Sequence, residues 1–274
     1  MVGPILVFDS GVGGLSVANS LRQHYPDAAM CYACDNAWLP YGLRDDEALA
    51  ERIVAVCQAA VDACQASVLV VACNTASTLA LEGLRQTLSI PVIGTVPAIK
   101  PAALISQTRH IGLLATTATV NRPYTQSLVD DFASDCRVSK IAADALVTEA
   151  EAWLAGATLS EARLNQALLP LWQAMRATPA LDTVVLGCTH FPLLKPVLAS
   201  LAPISVQWVD SGDAIARRVG QVANILASGS SDGRCYTTAA ADPLVDGFAQ
   251  YGFQAPQRLI LSGSEAVVYG AGRP

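Results

Sequence analysis

Two short apolar runs, Val68–Val71 and Thr183–Leu186, constrain the fold of this chain more than any other feature. Each runs into a cysteine, in Ala72-Cys73-Asn74-Thr75 and in Gly187-Cys188-Thr189-His190, and each is followed by a helical pattern, over Ala76–Gln86 and Pro192–Leu201. Short continuous apolar runs bounded in this way read as strands buried on both faces, the habit of a parallel sheet covered by helices. The same alternation fills the chain. Strand patterns at Ile5–Phe8, Ala29–Ala33, Val92–Thr95, His110–Leu114, Val138–Ala142 and Val206–Val209 interleave with helical ones at Gly14–His24, Asp45–Gln65, Tyr124–Phe132, Glu149–Leu154, Glu161–Met175 and Asp213–Ala227. The expected class is therefore α/β.

The pattern restarts near residue 98. Ile5–Phe8 ends in Asp9-Ser10-Gly11 and His110–Leu114 ends in Ala115-Thr116-Thr117, and each half reaches its cysteine a few elements later. Two pseudo-symmetric open parallel-sheet domains follow as the expectation, residues 1–97 plus 207–274 for the first and 98–206 for the second. Ligand sites in open α/β sheets lie beyond the carboxyl ends of the strands, so both cysteines are expected at a cleft between the halves.

Composition narrows the function classes. Hydrophobic residues make up 52% of the 274 residues and charged residues 15%, which suits a well-buried globular chain. The net charge of −6, with no basic stripe, argues against direct nucleic-acid binding. No apolar run approaches the roughly 20 residues of a membrane helix, and the first residues enter a strand without a signal-peptide charge pattern, so a cytoplasmic protein is expected.

Of the eight cysteines, Cys57 and Cys64 lie one heptad apart on a helical pattern and read as core thiols, and Cys136 and Cys235 stand alone. Cys31-Tyr32-Ala33-Cys34 is a CxxC in a strand-like run, where the two thiols face opposite sides, so no metal site is expected. Cys73 and Cys188 differ in having polar neighbours at a strand end. Each is placed to feel a helix N-terminus, which lowers a thiol pKa. Opposed thiols could take a proton from one face of a carbon acid and return one to the other, and Asn74, Thr75 and Thr189 add donors for a carboxylate. Asp9 can orient a thiol or cap the first helix, and His190 can assist Cys188. Asp9-Ser10-Gly11-Val12-Gly13-Gly14 lacks the lysine of a P-loop and the third glycine of a dinucleotide fingerprint, so a tight turn at the cleft floor is expected. Pro40-Tyr41-Gly42 falls in a loop near the expected mouth. His24 and His110 carry no such company.

Taken together, Asp9 through Leu15, Asp35 through Gly42, Cys73-Asn74-Thr75-Ala76, and Leu186 through Leu193 closely resemble the glutamate racemases of the cofactor-independent aspartate/glutamate racemase family, with support from Ile93-Gly94, Pro97-Ala98 and Asp210-Ser211-Gly212. The resemblance implies paired flavodoxin-like domains that interconvert L- and D-glutamate by two-base proton transfer at Cα, without a cofactor or metal, to supply D-glutamate for peptidoglycan. It implies Cys73 as the base for the D-enantiomer, assisted by Asp9, and Cys188 as the base for the L-enantiomer, assisted by His190. Substrate contacts would come from Ser10, Tyr41, Gly42, Asn74, Thr75, Thr117 and Thr189. Glu151 would match a carboxylate near the second cysteine, with Glu149 as the alternative, because Ala143-Asp144-Ala145 stands where a Cys-Pro pair is usual. Homodimers, activation by a cell-wall precursor and a side interaction with DNA gyrase all occur in such a family, and no residue pattern here selects among them.

Three other readings remain at the level of sequence. The chain could racemise another acidic substrate such as aspartate, or isomerise or decarboxylate a dicarboxylic acid. The two lobes could hold an amino acid without turnover, as a regulator does. Cys31 and Cys34 could serve redox chemistry.

Overall fold

The computed structural model describes residues 3–223 and 233–261. The chain runs β1 (Ile5–Asp9), α1 (Leu15–His24), β2 (Met30–Cys34), α2 (Asp46–Cys64), β3 (Val68–Val71), α3 (Asn74–Thr87), β4 (Val92–Gly94), α4 (Ile99–Ile105), β5 (His110–Ala115), α5 (Thr117–Asn121) and α6 (Pro123–Phe132). It continues β6 (Arg137–Ala142), α7 (Ala145–Leu154), α8 (Glu161–Met175), β7 (Thr183–Leu186), α9 (Phe191–Leu201), β8 (Gln207–Val209), α10 (Gly212–Val222), β9 (Cys235–Thr237), α11 (Val245–Gln250) and β10 (Gln257–Arg258). A 3₁₀ turn, Tyr41–Leu43, precedes α2.

Two parallel sheets result. The first has the order β10-β9-β2-β1-β3-β4 and the second β6-β5-β7-β8. Removing β9 and β10 leaves the same order in both, with β1 and β5, and β3 and β7, in matching places. The repeated layout read from the sequence is therefore a repeated topology, and Cys73 and Cys188 follow equivalent strands.

The apolar runs behave as strands buried on both faces must. Leu6, Phe8, Leu69 and Val71 enter one core, with α2 and α3 above them. Ile5, Val7, Val68 and Val70 enter the opposite core, beneath α1 and α10. Cys31 belongs to the first of these cores and Cys34 to the second, the opposed placement expected of positions i and i+3 in a strand. Cys57 and Cys64 are fully buried in the core under α2. The Asp45 side chain caps α2 by accepting from the N–H groups of Glu47 and Ala48. His110 is buried, with Nδ1 against the Pro179 carbonyl and Nε2 against the Ser139 hydroxyl, so it packs the second sheet rather than the site.

One expectation is corrected here. The boundary at residue 207 put Gln207–Val209 with the first half, whereas β8 pairs in parallel with β7. The run through α9 is a standard crossover between neighbouring strands, so β8 completes the second sheet. The chain returns only with α10, whose Ile215, Ala216 and Val219 enter the core beside α1. Before β5, Ala98 precedes the short helix α4, whose Ile99, Ala102 and Ala103 pack on the second sheet. Residues 224–227 of the helix expected over Asp213–Ala227 lie outside the described residues. Among the described residues, no helix is long and apolar enough to cross a membrane.

Candidate active site

At the end of β1 the chain turns through Asp9-Ser10-Gly11-Val12-Gly13-Gly14. The Asp9 carboxylate is fully buried. Its Oδ1 accepts from the Gly11 N–H at 3.1 Å and the Ser10 hydroxyl at 3.2 Å, and its Oδ2 accepts from the Thr189 hydroxyl at 2.8 Å. Burial raises the Asp9 pKa above the ordinary carboxylate value, although the His190 charge and the Thr189 and Gly11 hydrogen bonds oppose it. The Val12 N–H donates to Glu151 Oε1 at 2.8 Å. The amides of Gly11 and Val12 thus serve protein carboxylates, which is why this glycine-rich turn is not a phosphate cradle.

Cys73 occupies the position just before α3, beyond the end of β3, with its Sγ 3.9 Å from the Ser10 hydroxyl. Its thiol is pushed up to about 12, first by burial and next by the Asp9 charge, against the Ala76 N–H and the Ser10 hydroxyl. The expectation that a helix N-terminus lowers this pKa is therefore corrected: in a buried site one backbone amide does not offset lost hydration and a nearby carboxylate. The thiol holds its proton at neutral pH.

On the second sheet, β7 leads through Gly187 and Cys188 to Thr189 and His190. His190 Nδ1 lies 3.7 Å from Cys188 Sγ, and Nε2 lies 2.7 Å from Glu151 Oε1. Burial disfavours the imidazolium, but the hydrogen bonds to Cys188 and Glu151, together with their charges, outweigh it and raise the His190 pKa well above its ordinary value. A buried imidazolium is tolerable only with partners of this kind. Glu149, the alternative carboxylate, turns away to pair with Arg163. Two residues apart on α7, the pair points in widely different directions, and Glu151 is the one that reaches the site.

Between the sheets lies a cavity of about 580 Å³. Both Cys73 and Cys188 line it, as do Ser10, Asn74, Thr75, Thr189 and His190. Tyr41, Gly42 and, from the second half, Thr117 line it as well. Asp9 and Glu151 stand behind this wall, each gripping a lining residue. Asn74 bridges the sheets by donating from Nδ2 to the Gly187 carbonyl at 3.0 Å, while its buried Oδ1 has no partner among the described residues.

Tyr41 and Thr117 differ from expectation in where their polar atoms go. The Tyr41 hydroxyl donates to Asp35 Oδ2 at 3.0 Å, so at the cavity Tyr41 offers its ring. Asp35 is fully buried and also accepts from Arg52, at 3.0 and 2.8 Å, and from the Thr238 hydroxyl. Arg52→Ala is expected to cost about 3 kcal/mol by leaving that carboxylate underpaired. The melting temperature should then fall by roughly 6–10 °C, and a shift under about 2 °C would mean that Tyr41 and Thr238 hold Asp35 unaided. Thr117 gives its N–H and hydroxyl to Asp144. Asp144 lines the cavity and was absent from the expected site; its position just after β6, equivalent to Asp35 after β2, was the available signal.

The Asp/Glu/hydantoin racemase family model matches residues 15–219. The chain belongs to this racemase family. Its glutamate racemase relative from Shewanella loihica is 46% identical over 259 residues, which are 93% of this chain and 95% of that protein. Among solved structures, Escherichia coli glutamate racemase in complex with L-glutamate and the activator UDP-MurNAc-Ala is similar with a TM-score of 0.88 at 40% identity, over 95% of this chain and 100% of that one. Glutamate racemase isoform RacE1 of Bacillus anthracis is similar with a TM-score of 0.76 at 28% identity, over 94% and 98% of the two chains. In this fold the two strand-end thiols line one cavity, with the Asp9 and Glu151 carboxylates hydrogen-bonded to residues of its wall.

Proposed function

We propose that this chain interconverts L- and D-glutamate by moving protons between the two faces of Cα and the thiols of Cys73 and Cys188. The observation that carries the reading is the matched pair of thiols, each after an equivalent strand of a repeated sheet, lining one cavity. In the L-to-D direction Cys188, as thiolate, takes the Cα proton while Cys73, which holds its own, delivers it to the opposite face. That turnover leaves Cys188 protonated and Cys73 ionised, the form that acts on the D-enantiomer. His190, kept protonated by Glu151, supplies countercharge beside Cys188, and Asp9, through Ser10, orients Cys73. Assigning Cys73 to the D-enantiomer and Cys188 to the L-enantiomer follows the family resemblance.

A Cα–H is a very weak acid, so charge developing on the substrate carboxylate needs donors fixed in advance. Asn74, Thr75 and the backbone N–H groups after each cysteine are placed for that work, and the unpartnered Asn74 Oδ1 suits the substrate ammonium. The reading includes two bodies, one per sheet, closing on the substrate and shedding water from the cavity. It invokes no cofactor. It also takes the protein as cytoplasmic, supplying D-glutamate for peptidoglycan, and extends activation by a cell-wall precursor from the Escherichia coli relative to this chain.

The test is proton NMR of L-glutamate in D₂O with the purified protein, with aspartate run in parallel. Loss of the α-proton signal together with loss of optical activity is expected for glutamate. Unchanged spectra for glutamate, with and without UDP-MurNAc-Ala, would overturn the reading.

A further inference from the structure

The cavity is nearly free of formal charge. Among the described residues no lysine or arginine lines it, and the only charged lining groups are His190 and Asp144. A site for a dicarboxylate therefore carries a carboxylate of its own. Asp144 is also held firmly: its Oδ1 accepts from the Thr117 N–H at 3.1 Å, and its Oδ2 accepts from the Thr117 hydroxyl at 2.5 Å. It does not cap α7, although it occupies the position just before that helix. Seven residues on, along the same helix face, Glu151 fixes α7 to Val12 and His190. Thr117 at one end and Glu151 at the other hold the solvent-exposed Asp144 carboxylate at the cavity wall.

We infer that Asp144 sets the affinity of the cavity for its substrate, as a negative charge pinned by Thr117 on the wall that an anionic ligand must approach. This inference rests on the glutamate reading above. A like charge that is present in the ground state and unchanged through proton transfer weakens binding of substrate and transition state together. Asp144 is thus a specificity-determining residue, and its effect scales with ligand charge: largest for a dianion, small for a neutral ligand.

Asp144→Asn keeps the shape and an acceptor for Thr117 while removing the charge. It should lower KM for glutamate by roughly three- to tenfold, the size of a like-charge contact in a water-filled cleft. Asp144→Glu, which restores the charge, should not lower it. Binding of glutarate, a dicarboxylate without a stereocentre, followed by calorimetry, should tighten by a similar factor in Asp144→Asn, and the difference between variant and wild type should shrink as salt is raised. A KM that is unchanged or higher in Asp144→Asn, with a wild type that racemises glutamate, overturns the inference alone; a higher value would mean that Asp144 grips the substrate ammonium. A wild type that neither turns over glutamate nor binds glutarate overturns the reading beneath the inference, and the inference with it.

Discussion

Cys73→Ala and Cys188→Ala are each expected to lower racemisation of glutamate by roughly a thousandfold or more, the scale set by losing a positioned acid or base. The loss must appear in both directions. Mirror-image glutamates have equal free energy in water, so the equilibrium constant is 1 and kcat/KM is the same from either side. Removing one proton carrier cannot spare one direction. What the variants keep differs. In Cys73→Ala the remaining Cys188, backed by His190 and Glu151, can still take the α-proton of L-glutamate and return a solvent deuteron to the same face. In Cys188→Ala the same holds for Cys73 and D-glutamate. Proton NMR in D₂O with each enantiomer, alongside polarimetry, reads both properties. Slow exchange of one enantiomer with retention, L for Cys73→Ala and D for Cys188→Ala, is the expected result. Racemisation near the wild-type rate in either variant would end the two-base account, and exchange of the opposite enantiomers would swap the two roles. Neither substitution threatens the fold, since each deletes a single sulfur at the cavity wall.

What the sequence could show and what it could not follow one physical line. Leu6 through Phe8, Val68–Val71 and Val184 through Leu186 are apolar at every position because both faces of the sheet are covered, and this is visible in one dimension. Once those strands are placed, Cys73 and Cys188 must sit at their carboxyl ends. Partners set by distant pairing were not visible. Val206–Val209 reads as a strand, but only the ladder of Gln207–Val209 with β7 assigns it to the second sheet. Glu149 and Glu151 are indistinguishable by spacing, and the choice between Arg163 and His190 is made by the orientation of α7. The Cys73 pKa depends on burial beside Asp9, so reasoning from the helix terminus alone took the wrong sign. Tyr41 lines the cavity, but its hydroxyl answers to Asp35, a partner that its own loop pattern does not reveal.

The glycine-rich turn shows the same limit from the other side, and Gly13→Ala tests what it is for. A Cβ on Gly13 would lie 2.5 Å from His190 Nδ1 and 2.5 Å from Thr189 Oγ1. Neither neighbour can yield freely. The imidazole is buried and held at both nitrogens, at 3.7 Å from Cys188 Sγ and 2.7 Å from Glu151 Oε1. The Thr189 hydroxyl is committed to Asp9 at 2.8 Å. The methyl must therefore displace one of two groups, each bound to the machinery of a different thiol. A misplacement of about 1 Å in such groups costs on the order of 100-fold in turnover. Overpacking of this kind costs about 1–3 kcal/mol of stability, so the variant should remain folded while its kcat falls. Gly83→Ala is the matched control, because its Cβ would meet only Val54 Cγ2 at an ordinary 3.4 Å on the far side of α3 from the chemistry. Wild-type kcat in Gly13→Ala would mean that the turn has room to retreat. Loss of kcat with Gly83→Ala intact would give the glycine spacing its reason. The first half of the chain needs backbone without a side chain there, so that the His190 imidazole and the Thr189 hydroxyl of the second half can lie against it.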